Sequence, residues 1–251
     1  MLRKVEKKDH KKYIRNAEGC VASQVFPLAV ATGVQSGDIY DDGNGCVMFW
    51  HYCGFAFLTG NITDEVLEEV YNDFLVAGTS RRFLIITDSE YVKDYYKAHD
   101  NLKFEGRINY VHGSEIEVQK LTDDSIVVER ITSDNIGMIK GRIVPSFAWE
   151  DEKQFLANGF GFIARRDDVF AGVTFSSAIS PSEADIGIET HEDFRHKGLA
   201  SYLAYRMCEE IIARGKTPTW THVVSNEGSR RTALKAGFKP VRQNTVIQRF
   251  T

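Results

Sequence analysis

The sequence contains little that would build a disulfide framework or a metal site. It has four cysteines among 251 residues, and no two of them form a C-x-x-C pair. No grouping of histidine and cysteine has the spacing of a zinc site. We therefore expect reduced thiols and no bound metal.

Long apolar runs are also missing. No stretch approaches the roughly 18 apolar residues that a membrane helix needs, and the N-terminus lacks the apolar core of a signal peptide. The net charge is −4, and neither half of the chain has the basic excess that nucleic-acid binding favours. These absences predict a cytoplasmic protein with neither a membrane nor a nucleic acid as partner.

The first fifteen residues are an exception to this charge balance. They contain seven Lys or Arg residues against Glu6 and Asp9. Both an interaction arm and a solvated helix face fit this pattern. The interspersed acids, and the lack of an aromatic ladder for stacking bases, favour the helix face.

The most informative stretch joins a strand pattern to a helix pattern. Residues 185–190 alternate between apolar and polar with period two, and residues 199–213 carry two adjacent apolar rows at helical spacing. Between them lies the basic turn Arg195-His196-Lys197-Gly198-Leu199-Ala200. The pattern therefore predicts a strand, a basic turn and a helix.

This turn has the chemistry of an anion site. The first turn of a helix leaves N–H groups unpaired and carries partial positive charge, which together favour a phosphate. Gly198 and Ala200 keep bulky side chains away from that backbone, while Arg195 and Lys197 add positive charge. A surface helix that merely follows a basic turn is the alternative.

The motif Arg195-x-x-Gly198-x-Ala200 resembles the acyl-CoA pyrophosphate loop, (Q/R)-x-x-G-x-(G/A), of the GNAT N-acetyltransferase superfamily. The downstream sequence agrees, because a predicted strand at 220–225 is followed by Asn226, by Ser229 and by a helix that ends before a Gly-Phe pair. The resemblance covers roughly residues 125–251. More narrowly, the chain is similar to the zwittermicin A resistance acetyltransferases in four motifs: Asn158-Gly159-Phe160-Gly161-Phe162, Ile186-Gly187-Ile188-Glu189-Thr190, Pro218-x-Trp220 and Asn226-x-x-Ser229.

The resemblance implies an α/β (α+β) GNAT fold, with a mixed central sheet flanked by helices, and acetyl-CoA as co-substrate. It also implies roles for the motif residues. The pantetheine arm pairs with the backbone of Ile188, Glu189 and Thr190 and lies near Asn226 and Ser229, while the pyrophosphate is held by Arg195, His196, Lys197, Gly198, Leu199 and Ala200. The same backbone would polarise the thioester carbonyl.

Acyl transfer to an amine needs a base that takes a proton from the amine. Glu189 is the first candidate, because it lies on the strand expected to present the thioester; Glu183, Asp185, His191 and His222 are alternatives. Many GNAT relatives carry a tyrosine on the last helix as general acid, and here Ala233 stands at that position. Water or Ser229 would then protonate the thiolate.

The aromatic residues Phe147 and Trp149 are candidates for the wall of the acceptor site. They lie in residues 143–149, where Pro145 prevents a helix predicted to begin at about Ser133 from continuing. In the resembling fold this region often forms part of that site. A plain core role is the alternative for both rings.

The chain is expected to contain two domains, residues 1–120 and 121–251, with the boundary in the polar segment 112–124. Residues 46–111 are predicted to run strand, helix, strand, helix, strand, and residues 184–250 repeat that order. The N-terminal domain is thus hypothesised to be a degenerate half of the GNAT fold that covers or shapes the acceptor side. The alternation of strands and helices that is common to α/β domains is the alternative. The corresponding loop of this domain, residues 59–63, has no basic residue, so it should not bind CoA.

The sequence therefore predicts an acetyl-CoA-dependent N-acetyltransferase acting on a small-molecule amine. The narrower resemblance implies resistance to an amine-bearing antibiotic. A CoA-binding sensor of the same fold that has lost the chemistry is the main alternative. Whether the protein forms a homodimer stays open.

Overall fold

The computed structural model describes residues 1–113, 119–121 and 123–250. These residues form two compact units. Unit 1 contains Met1–Arg107 together with the last residues from Gln243, and unit 2 contains Ile108–Arg242. The predicted boundary segment, 112–124, lies partly outside the described residues.

The described residues form twelve strands and eight α-helices. The strands are β1 (Arg3–Lys4), β2 (Gly37–Asp41), β3 (Cys46–His51), β4 (Phe55–Gly60), β5 (Leu84–Thr87), β6 (Leu102–His112), β7 (Val127–Arg130), β8 (Gly161–Arg166), β9 (Val169–Ile179), β10 (Glu183–Thr190), β11 (Thr217–Val223) and β12 (Phe238–Arg249). The helices are α1 (Ile14–Glu18), α2 (Val25–Thr32), α3 (Asp64–Val70), α4 (Glu90–Lys97), α5 (Pro145–Ala148), α6 (Glu152–Asn158), α7 (Leu199–Ala213) and α8 (Glu227–Lys235). None of them has the length and hydropathy to cross a lipid bilayer within the described part of the chain.

The strands belong to one mixed sheet of twelve, which divides into two sets of six neighbouring strands with the same order. In unit 1 the order is β1-β2-β3-β4-β5-β12, and in unit 2 it is β7-β8-β9-β10-β11-β6. The first four strands of each set pair antiparallel, and the fourth and fifth pair parallel. The order of the six strands and the directions of the first five match between the two sets, as the hypothesis of an internal repeat requires.

The sixth strand of each set comes from the other half of the chain. β6 follows the unit 1 strands in sequence, yet its residues from Ile108 belong to unit 2. β12 ends the sequence, and its residues Thr245, Val246 and Ile247 pair antiparallel with β5 in unit 1. Unit 1 is therefore built from two separate segments of the sequence, whereas unit 2 is one continuous segment.

Local sequence explains most of the elements. Thr63 and Ser89 cap α3 and α4, since their side-chain oxygens accept the N–H groups of Val66 and Val92. The aromatic run after Cys46 forms two strands, because Gly54 turns the chain at a φ of +97°. The composition of residues 21–41, with Pro27, Gly33 and Gly37, predicts one or two helices followed by a loop; the loop part was wrong, because β2 lies there and pairs with β3.

The helix predicted from about Ser133 is a single 3₁₀ turn, Ile136–Met138. The Asn135 side chain explains the difference. Its oxygen accepts the Thr132 N–H at 2.8 Å, and its nitrogen donates to the Arg130 carbonyl at 2.9 Å. These local bonds compete with a regular helix.

α7 packs on β9 and β10 in unit 2. Leu203, Met207 and Ile211 of its apolar row are completely buried. Gly172 of β9, opposite Thr190, permits this approach, since an added Cβ would lie 3.2 Å from Leu203 and 3.0 Å from a β10 carbonyl oxygen. The close packing fixes the start of α7 relative to the end of β10.

The end of β12 offers a test of the exchanged strand. Ile247 is completely buried in the core of unit 1, whereas Val241 on the same strand is 61% exposed. We expect Ile247→Ala to lower the free energy of unfolding by about 2–5 kcal/mol, because it removes buried methyl groups and leaves a cavity. Denaturant unfolding measures the loss, with Val241→Ala as control at less than about 1 kcal/mol. Equal losses would contradict the assignment of Ile247 to this core.

Candidate active site

β10 and β11 pair for only three residues. Glu183, Ala184 and Asp185 lie opposite 217–219 in a parallel ladder, and the described ladder ends there. The remainder of β10, residues 186–190, continues to pair with β9 on its other side. A parallel pair whose ladder ends while one strand continues leaves the backbone beyond it without its strand neighbour. This edge includes Ile188–Thr190, where pairing with pantetheine was predicted.

The turn after β10 is shaped by two left-handed residues. A short 3₁₀ turn, Glu192–Phe194, is followed by Arg195 in an extended conformation. His196 then has a φ of +61° and Gly198 a φ of +79°. Positive φ is uncommon for a non-glycine residue such as His196 and easily adopted by Gly198. The turn leads directly into α7.

The first turn of α7 has no side-chain cap. Gly198 occupies the N-cap position, and an added Cβ there would meet no atom within 4 Å. The first N–H groups of a helix have no partner within the helix, and the space beside Gly198 is open. The residues from Arg195 to Gly198 are exposed. These are the features that a bound diphosphate requires of a helix start.

The two basic side chains of the turn have different surroundings. Arg195 is half exposed; its Nε donates to the Thr190 carbonyl at 3.1 Å, and its Nη2 lies 3.8 Å from Glu189 Oε1. Lys197 donates to the Asp193 carbonyl at 2.9 Å and lies 5.6 Å from the centre of the Phe194 ring. Both charges are therefore held near the start of α7.

Glu189 is the predicted base, and its carboxylate is held by a segment before α5. Oε2 accepts the backbone N–H of Ile143 at 3.1 Å. Gly141 lies against the same side chain, at 2.8 Å from Glu189 Cγ to the position of an added Cβ. The side chain is 22% exposed. One oxygen is thus fixed, and the other faces Arg195.

Asp185 and Glu183 lie further back on the same strand. Asp185 is buried, and three hydroxyl groups approach its carboxylate: Ser177 at 2.5 Å, and Thr219 and Thr221 at 3.4 Å each. Burial raises the pKa of Glu183 above its ordinary value. Asp185 lies where the β10–β11 ladder ends, and its hydrogen bonds join β9, β10 and β11.

The two candidate histidines differ in their contacts. His191 follows β10, and its Nδ1 lies 3.5 Å from an Asp193 carboxylate oxygen. His222 of β11 is buried, and its Nε2 lies 3.0 Å from the hydroxyl of Tyr110 while its Nδ1 lies 2.8 Å from the Val223 carbonyl. Burial raises the pKa of Tyr110. The sequence reading did not single out Tyr110.

The predicted arm residues lie at the start of α8. Asn226 is the N-cap, with its side-chain oxygen accepting the Ser229 N–H at 3.0 Å. The Ser229 hydroxyl oxygen in turn accepts the indole N–H of Trp220 at 3.0 Å. Ala233, further along α8, is completely buried. The Asn226 amide nitrogen and the Ser229 hydroxyl hydrogen are not used in these bonds.

The two aromatic candidates for the acceptor wall have different environments. Trp149 is completely buried, donates its indole N–H to the Ser176 carbonyl at 2.8 Å and packs edge-on against Phe155 at 5.6 Å between ring centres. Phe147, in α5, is half buried. Of the two side chains, only that of Phe147 has exposed surface that a ligand could contact. Their role in acceptor binding stays a prediction.

The structure places two residues at the candidate site that no sequence motif indicated. Gly141 and Ile143 reach Glu189 across 46 or more residues of sequence. The only sequence signal was the glycine between Lys140 and Arg142. Within the described residues, no three His, Cys, Asp or Glu side chains are grouped as a metal site would require.

Comparison with known proteins gives one family. The GNAT acetyltransferase family model matches residues 18–247. The uncharacterized N-acetyltransferase YdfB of Bacillus subtilis (strain 168) is 24% identical over 229 residues, which cover 89% of this chain and 82% of that protein.

Solved structures have the same fold. A GCN5-related N-acetyltransferase-like protein from Streptococcus suis 89/1591 matches with a TM-score of 0.75 at 18% identity, over 98% of this chain and all of that one. A tandem GNAT protein from the clavulanic acid biosynthesis pathway matches with a TM-score of 0.62 at 9% identity, over 99% and 98% of the two chains. The match to the family model extends over nearly the whole chain, so the chain belongs to the GNAT acetyltransferase family and is an acyltransferase of that family.

Proposed function

We propose that the protein transfers the acetyl group of acetyl-CoA to the amine of a small molecule. The observation that carries this proposal is the uncapped start of α7 behind the exposed Arg195 and Lys197, directly after the strand whose ladder with β11 has ended. GNAT enzymes use acetyl-CoA as acyl donor. The open space beside Gly198 fits its diphosphate.

In this proposal the chain's own groups hold the donor. The N–H groups of residues 198–200 and the Arg195 and Lys197 side chains bind the diphosphate. The unpaired edge of Ile188–Thr190 pairs with the amides of the pantetheine arm and donates to the thioester oxygen as negative charge develops there. Asn226 and Ser229 contact the arm from α8.

Glu189 is proposed as the base that takes the proton from the attacking amine. It lies on β10 between the residues proposed to hold the arm, and Oε1 is turned away from the Ile143 contact. Asp185 and Glu183 are the alternatives on the same strand. The thiolate leaves without the usual tyrosine, because Ala233 takes that place; a thiol pKa near 8.5 makes this leaving group tolerable.

Unit 1 is proposed to shape the acceptor side and to bind no CoA. The α3 start, which corresponds in strand order to that of α7, is capped by its own Thr63. Its first turn carries Asp64 and Glu65 in place of basic residues. A side-chain cap and two carboxylates disfavour an anion at this position.

An amine-bearing antibiotic is the finer proposal for the acceptor. It rests on the four motifs shared with zwittermicin A resistance acetyltransferases. A CoA-binding sensor is the second candidate, favoured by the buried Ala233 in place of a general acid. The two proposals differ in whether binding leads to transfer.

Calorimetric titration of the full chain with acetyl-CoA is the first test. We expect one molecule bound per chain, because α7 has an open N-terminus while α3 is self-capped. A panel of small amines, including aminated antibiotics, is then assayed for acetyl transfer. Binding without transfer to any amine would favour the sensor, and two molecules per chain would contradict the assignment of unit 1.

The basic turn can be tested by combining Arg195→Glu with Gly198→Asp. We expect acetyl-CoA binding to be lost, because the charge is reversed and a carboxylate fills the space beside the helix start. Arg15→Glu with Gly78→Asp is the matched control, since Arg15 is exposed and Gly78 has the same left-handed φ, at +80°, with no atom near an added Cβ. Retained binding in the first variant would place the phosphate elsewhere.

Glu189→Gln tests the base. We expect the acetyl-CoA affinity to stay nearly unchanged and kcat to fall by about 10²–10⁴-fold with a flattened pH profile, since the amide cannot take a proton. Steady-state kinetics across pH measure both effects. Turnover equal to that of the parent protein would exclude Glu189 as the base and make Asp185 the next candidate.

A further inference from the structure

The segment before α5, residues 141–143, contacts the Glu189 side chain at two points. The Ile143 N–H donates to Oε2 at 3.1 Å, and the backbone at Gly141 lies against Cγ and Cδ. The segment thus touches the aliphatic part and one oxygen of the same side chain. The hydrogen bond from Ile143 and the packing of Gly141 together restrict the rotation of the carboxylate.

Gly141 is required for this approach. Its φ of +132° is accessible to glycine and disfavoured for any residue with a Cβ. A Cβ built there would lie 2.8 Å from Glu189 Cγ and 3.4 Å from Cδ. An alanine would therefore both strain the backbone and push against the glutamate side chain.

We propose that Gly141 and the Ile143 N–H form a cradle that positions the Glu189 carboxylate for proton transfer. The proposal rests on the proposed function, in which Glu189 is the base. With Oε2 held by the Ile143 N–H, Oε1 is the oxygen that accepts the proton of the amine. Both residues are positioning residues, because they act through Glu189.

The cradle also connects the base to the acceptor side. Residues 141–143 lead within two residues into α5, which begins at Pro145 and carries Phe147, the proposed acceptor-wall residue. The Arg195 guanidinium lies 3.8 Å from Oε1 on the donor side. Glu189 is thus in contact with the segment of the acceptor wall and close to the loop of the donor.

A nuclear magnetic resonance measurement tests the contact without relying on turnover. The Ile143 amide proton of the full chain is followed in Glu189→Gln and Glu189→Ala. We expect its chemical shift to stay close to that of the parent in the Gln variant, whose side-chain oxygen still accepts the bond, and to move upfield in the Ala variant, which has no acceptor. An Ile143 amide that is the same in all three proteins would overturn the cradle.

Kinetics of Gly141→Ala test the positioning role. We expect kcat to fall by about 10²-fold, the order found when a catalytic group is displaced by about 1 Å, while the acetyl-CoA Kd stays unchanged. Gly137→Ala is the control: it lies four residues earlier, has no positive φ and would meet no atom within 4 Å. Loss of acetyl-CoA binding together with kcat, or equal effects of both variants, would contradict the proposal.

A double-mutant cycle separates a role through Glu189 from a general loop defect. In the Glu189→Ala background, Gly141→Ala should lower the remaining rate no further, because the side chain it displaces is gone. A further fall of similar size would overturn the positioning role. If Gly141→Ala fails to fold, the Ile143 amide measurements still decide whether the contact exists. If the parent protein transfers acetyl to no amine, the proposed function fails. The Ile143 amide chemical shifts then still decide whether Ile143 holds the Glu189 carboxylate.

Discussion

The hydrogen bonds of Asp185 hold together the point from which the active-site strands diverge. A buried carboxylate is costly unless hydroxyl or N–H groups surround it. Ser177 of β9 and Thr219 and Thr221 of β11 approach Asp185 where the β10–β11 ladder ends. Beyond that point only β9 continues to pair with β10. The unpaired edge, the turn that follows and the start of α7 all depend on this anchored end.

The local elements of the site could be predicted because their signals are local. The period-two strand, the basic turn and the helical rows occupy 29 consecutive residues, 185–213, and β10 and α7 lie there. The contact of Ile143 with Glu189 had no such signal, since it uses a backbone N–H that every residue except proline possesses. The Ser133 helix failed for a related reason, because the Asn135 side chain replaces helical bonds with local ones.

The fold class followed from the motifs, whereas the exchange of the sixth strands did not. β6 and β12 both alternate as strands in sequence, and alternation carries no information on which sheet a strand joins. Ile247 looks like any inward-facing residue of a terminal strand, yet it is buried in the core of unit 1. Because unit 1 includes both ends of the chain, a single boundary in the sequence cannot separate the two units.

The two units have the same strand order but differ in how the helix after the fourth strand begins. After β10 the chain turns through His196 and Gly198, leaves the N-terminus of α7 uncapped and surrounds it with exposed positive charge. After β4 the corresponding helix is capped by Thr63 and begins with two carboxylates. Since a helix dipole favours anions only where its first N–H groups are free, a threonine or a glycine at the cap position changes what the same architecture can bind. In the proposed function, the capacity for an acyl donor therefore depends on a few loop residues in one unit, and the shared strand order by itself does not create a second site.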